Sequence, residues 1–145
     1  MLKSLWKRFP GKSRQSFDTV EEVAENVGLH LREVLAAHSA WKRRLARLFK
    51  EGDRGRIDLI TVADDRICEL GRWLHGPGRD AFGKLEEYHE AVEAHAAFHK
   101  TAAEVVVEFK SGNRKKAAEL LRTRFRDASN CNQMALVMLF MAARK

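Results

Sequence analysis

Four side chains in this chain could close on one metal ion: His38, Cys68, His95 and His99. The last two form an H-x-x-x-H pair, His95-Ala-Ala-Phe-His99, in a segment patterned as helix. Residues four apart on a helix share a face, so both imidazoles can point at one ion. Imidazole nitrogens and a thiolate are ligands that zinc accepts, and four of them fill a tetrahedral shell. A filled shell leaves no position for a substrate or an activated water. Such a metal is structural or sensory and not hydrolytic. Burying three imidazoles and a thiol without shared purpose would cost hydrogen bonds that the core must supply, and a metal satisfies all four at once.

The remaining reactive residues fit this picture less well. His30 lies off the apolar stripe of its segment, His75 falls at a helix end, and His89 is out of phase with His95 and His99. Cys131 shares no face with a histidine. Asp64 and Asp65 lie one turn before Cys68, where a carboxylate could accept the free N–H of a ligand histidine. The chain has no H-E-x-x-H motif and no general base beside the pair, so it is not expected to be an enzyme.

Helices must position these groups. A capping-box pattern, Asp18-Thr-Val-Glu21, opens the first long helix. Its stripe runs Val20, Val23, Val27, Leu31, Val34 or Leu35, His38, Trp41, Leu45 and Leu48, with Gly28 able to loosen it. A second helix is expected from about Asp58 to His75, buried through Ile60, Ile67, Leu70 and Leu74, with Cys68 beside them. A third runs from about Leu85 to Lys110 and carries His95 and His99. The fourth fills most of Asn113 to Lys145, with Ala117, Leu120, Leu121, Phe125, Ala128, Asn132, Ala135 and Leu139 inward. No strand pattern or repeat is present. The expected fold is all-α, an antiparallel four-helix bundle. It divides into a basic tail at 1–16, disordered or anchoring, and a zinc-binding bundle at 17–145.

At this point the motifs resemble a known family. His38 followed by Trp41, then Cys68-Glu-Leu70-Gly71-Arg-Trp73, then His95-Ala-Ala-Phe-His99 resemble the chemoreceptor zinc-binding domain over roughly residues 30–140. Trp41 stands one position further from its histidine than in the commonest family form. Trp73-Leu-His-Gly-Pro-Gly-Arg-Asp-Ala-Phe-Gly83 looks like the family's loop after the cysteine helix. The resemblance implies one zinc ion held by His38, Cys68, His95 and His99, a homodimer, and a sensory role. Zinc level, or oxidation of the zinc-bound cysteine, would be passed to a chemotaxis or cyclic-di-GMP output. The chain shows no cyclase, methyl-accepting or transmembrane part, so a stand-alone form acting on a separate output protein is expected.

The bulk composition is compatible with that reading. The chain has 145 residues and a net charge of +7, two cysteines and two prolines. One domain is expected at this length. Two cysteines make no disulfide framework, no signal peptide is evident, and no apolar run reaches the about 18–20 residues of a membrane span. A cytoplasmic location follows as an expectation. Acidic residues such as Glu86, Glu87, Glu90 and Glu93 interleave with the basic ones, and no nucleic-acid motif is present, so nucleic acid is an unlikely partner. Leu2, Leu5, Trp6 and Phe9 with Lys3, Lys7 and Arg8 could give the tail weak membrane-surface contact. The alternative from another class is a metal-independent basic helical adaptor that docks a partner protein or a membrane surface.

Overall fold

The structure is a computed structural model that describes residues 12–52 and 57–144, with side chains from residue 19 onward. The described residues are helical and contain no strand. The first helix, α1, spans Lys12–Asn26, so the last residues of the expected tail are helical, while residues 1–11 lie outside the described set. The second, α2, spans Leu31–Glu51. The break between them follows from Gly28, at φ +84. Leu29 N–H donates to the Ala24 carbonyl at 2.9 Å and Gly28 N–H to the Glu25 carbonyl at 3.0 Å, the paired bonds of a Schellman termination. The single long first helix of the sequence reading is therefore two helices. Gly112, at φ +87, ends the longest helix by the same pair of bonds, with Asn113 N–H reaching the Glu108 carbonyl at 2.9 Å.

The expected second helix is also divided, into α3 at Leu59–Ala63 and α4 at Glu69–Leu74. Asp58 caps α3 through its carboxylate, which accepts from Ile60 N–H at 3.2 Å. Asp64 then leaves helical geometry, and its side chain accepts from Arg66 N–H at 2.9 Å. That local bond offers the backbone an alternative to the next helical turn. Ile60 and Ile67, assigned to the buried side, are both exposed. A short helix α5, Pro77–Phe82, leads into α6 at Glu86–Lys110. The last segment is α7, Arg114–Leu120, then a π-helical turn, Leu121–Phe125, then α8, Arg126–Ala143. The π turn inserts an extra residue into the ladder and rotates the helix beyond it. The buried face of α8 consequently runs Ser129, Asn132, Gln133, Leu136, Leu139 and Phe140.

Helix α6 is the axis of the molecule, packing along α8 and against α3, α7 and the π turn. Two apolar clusters form around it. One contains Leu29, Leu35, Leu70, Trp73, Tyr88, Leu136 and Phe140. The other contains Leu45, Leu48, Val62, Phe98, Val105, Phe109, Ala117 and Phe125. Between the two, along α2, α6 and α8, lie the buried polar residues His38, Ser39, His95, His99, Ser129, Asn132 and Gln133. Apolar burial at either end must offset the cost of that polar layer.

Candidate metal centre

His38 comes from the middle of α2, His95 and His99 from adjacent turns of α6, and Cys68 from the residue before α4. All three imidazoles are buried, and Cys68 is half-buried. One ligand atom from each of the four lies within 4.8 Å of every other, a grouping able to hold a metal ion. Cys68 Sγ is 3.3 Å from His95 Nε2 and 3.6 Å from His99 Nε2, and the two Nε2 atoms are 3.1 Å apart. Zinc bond lengths place the edges of a tetrahedron at about 3.5–3.6 Å for S···N and about 3.3–3.4 Å for N···N. The three edges among Cys68, His95 and His99 fall within a few tenths of an ångström of those lengths, and His38 completes the group within 4.8 Å.

The nitrogens on the far side of the rings decide which atom each histidine can present. His99 Nδ1 lies 2.8 Å from the Val62 carbonyl and His38 Nδ1 lies 2.8 Å from the Val34 carbonyl. A carbonyl only accepts, so both Nδ1 atoms carry the proton and both Nε2 atoms carry a lone pair. Main-chain carbonyls thus do what the sequence reading gave to Asp64 or Asp65. The Val62 contact also shows what α3 is for: it delivers a carbonyl to His99.

Cys68 is held in a different way. It is the N-cap of α4, and its Sγ accepts from Gly71 N–H at 3.3 Å. Gly71 packs so closely on the Asp65 carbonyl that a Cβ would overlap it. That contact folds the 64–68 turn back against α4 and aims Sγ at the histidines. Sequence periodicity placed Cys68 inside a continuous helix and could not show this.

Burial keeps His38 and His95 neutral. Burial pushes His95 down to about 2, with His99, His38 and His75 adding smaller contributions. Burial also lowers His38, more than its bond to Val34 raises it. Neutral rings are the ligating form. Burial raises the Cys68 thiol, outweighing the backbone N–H groups of Gly71 and Leu70, while the Asp65 carboxylate raises it further. A cation at the centre of the four would reverse that balance, because a coordinating thiol is deprotonated.

The sequence comparisons agree with this geometry. Residues 38–106 match the chemoreceptor zinc-binding domain family. The matched stretch opens on His38 and contains Cys68, His95 and His99. Comparison with curated proteins and with solved structures gives no match. Within the matched stretch the three histidines and the cysteine meet in a group able to hold a metal. Outside the centre, His30, His89 and Cys131 are exposed, and none of them joins the group. His75 is half-buried at the end of α4. Ser39 and Gln133 share a hydrogen bond of 3.2 Å in the same buried layer, a pair the sequence reading did not single out. A buried polar face on α8 was its available signal.

Proposed function

We propose that this chain is a zinc-binding sensory domain, with His38, Cys68, His95 and His99 as the four ligands of a closed site. The carrying observation is that three buried imidazoles and one thiol bring their ligand atoms within 4.8 Å of one another inside a polar layer between two apolar clusters. Bound zinc would tie α2, the start of α4 and α6 together. Structural zinc contributes about 10 kcal/mol or more of folding free energy in small domains, enough to make the packing of these helices depend on occupancy. Four protein ligands leave no open position, and this supports a non-enzymatic role.

The response we propose runs through Cys68. It is the half-buried member of the set, so an oxidant can reach it while the histidines stay shielded. Thiolate sulfur attacks a peroxide oxygen, forming an S–O bond as the O–O bond breaks and hydroxide leaves. The resulting sulfenic acid is a poorer ligand, which frees α4 to move against α6. Zinc depletion would act on the same helices. The change would pass to a separate output protein of a chemotaxis or cyclic-di-GMP system, from a cytoplasmic homodimer organised as an antiparallel bundle. No described helix is long and apolar enough to cross a membrane.

Elemental mass spectrometry of the purified native protein beside Cys68→Ala tests the reading. About one zinc per chain in the native protein, and less or more weakly held zinc in the variant, is the expected result. A well-folded native protein that takes up no supplied zinc would favour the metal-independent adaptor.

A further inference from the structure

His95 differs from the other two histidines of the centre. His38 and His99 each hand their far nitrogen to a carbonyl, but His95 Nδ1 is buried with no hydrogen-bond partner among the described residues. A ligating histidine almost always gives its far N–H to an acceptor, and a buried ring nitrogen without a partner is costly. His75 carries the complementary anomaly: its Nε2 is buried and unpartnered, although the residue as a whole is half-exposed.

The fold brings the two together. Cys68 lies against His95, while Leu74 at the other end of α4 accepts a 2.6 Å hydrogen bond from the Tyr88 hydroxyl. Helix α4 therefore runs antiparallel to α6. Cys68, Gly71 and His75 are spaced three and four apart, on one face of that short helix. Helical side chains lean toward the N-terminus of their own helix. His75 thus leans back toward Cys68, and His95 leans toward Tyr88, so each side chain points along the α4–α6 seam toward the other's end of it. His75 is also close enough to act electrostatically on His95.

We propose that His75 is a positioning residue for His95: through one buried water its Nε2 accepts the His95 Nδ1–H and fixes the ring that presents Nε2 to the metal. His75 is then not a fifth ligand. It rests on the zinc-site reading above, and it makes one end of α4 supply the thiol while the other end orients a histidine. Helix α4 would act twice on the same centre.

The test is nitrogen NMR of the histidine rings in the zinc-loaded full chain at pH 8, with zinc transfer to a chelator measured in parallel. The expected result is an unprotonated His75 Nε2 and a His95 Nδ1–H resonance protected from exchange. In His75→Leu that resonance should shift or exchange faster, and zinc should be held about tenfold or more weakly, the usual cost of losing such a partner. His75→Gln, which restores an acceptor, should recover most of the loss. A proton on His75 Nε2 in the native protein overturns the proposal without any variant. So does a His95 resonance that moves in Asn132→Leu and not in His75→Leu, since Asn132 Oδ1 is another buried, unpartnered acceptor, on α8. Failure of the native protein to bind zinc would instead reject the underlying site.

Discussion

His95 Nε2 lies 3.1 Å from His99 Nε2, and the His99 atom is committed to being an acceptor because Nδ1 of the same ring donates to Val62. Two bare lone pairs would repel at that distance. A proton on His95 Nε2, donated to His99, would remove that repulsion in the metal-free protein. A metal makes the opposite demand, a lone pair on both.

Metal binding should therefore switch the tautomer of His95 and leave that of His99 unchanged. Long-range nitrogen–proton spectra of the two rings, with and without zinc, report this directly. A His95 ring with the same tautomer in both forms would contradict it.

Gly71 should tolerate no side chain. A Cβ there overlaps the Asp65 carbonyl oxygen, and the obstruction is backbone, not a flexible side chain. Gly71→Ala must displace the 64–68 turn and with it Cys68 Sγ. Zinc affinity should fall by about tenfold or more, since sub-ångström placement of ligands matters at a closed site. Gly83→Ala, at the end of a surface helix, makes a control: it also crowds a carbonyl, that of Arg79, but lies away from the four ligands. Isothermal titration with a competing chelator compares the two.

The metal-free protein should lose stability as pH falls. His95 and His38 are neutral in the fold because burial holds both below the ordinary 6.5, His95 at about 2. The unfolded chain takes up protons near pH 6.5 and the fold does not. The unfolded state then binds more protons, so stability is complete above about pH 6.5 and declines below it. Each histidine contributes a slope of about 1.4 kcal/mol per pH unit while it stays neutral in the fold. Urea midpoints from pH 7.5 to 4.5 with chelator present should fall steadily. His95→Phe should flatten the curve, and an unchanged slope would show that His95 titrates freely.

Much of this arrangement is legible in the residues, for physical reasons. His95 and His99 sit on a 25-residue helix whose apolar spacing leaves little choice of phase, so their shared face follows from periodicity alone. His38 is fixed in the same way by Leu31, Val34, Leu35 and Leu45. Cys68 is different. Ile60, Ile67, Leu70 and Leu74 carry helical spacing, yet Asp64 diverts the chain between them, and both isoleucines are exposed. A competing side-chain bond of this kind leaves no mark on hydropathy. The π turn at Leu121–Phe125 is equally silent. It rephases α8, and so Ala128 and Ala135 are half-buried while Ser129, Gln133 and Leu136 are buried. The carbonyls that orient His38 and His99 belong to valines, and no side-chain motif can reveal a main-chain acceptor.

Zinc uptake should release a proton from Cys68. The thiol stands above its ordinary range in the metal-free fold, because burial and the Asp65 carboxylate outweigh the backbone N–H groups aimed at sulfur. It is therefore protonated at pH 7, whereas His38 and His95 are already neutral and have no proton to give. Coordination requires thiolate, so about one proton should leave per zinc bound. Calorimetry in buffers of different ionisation enthalpy counts it. The count should fall toward zero for Cys68→Ala at the same pH and remain near one for Cys131→Ala, whose exposed thiol stands apart from the centre. A native count near zero would mean that the sulfur is already ionised before the metal arrives, and that the backbone N–H groups of α4 dominate the burial of Cys68.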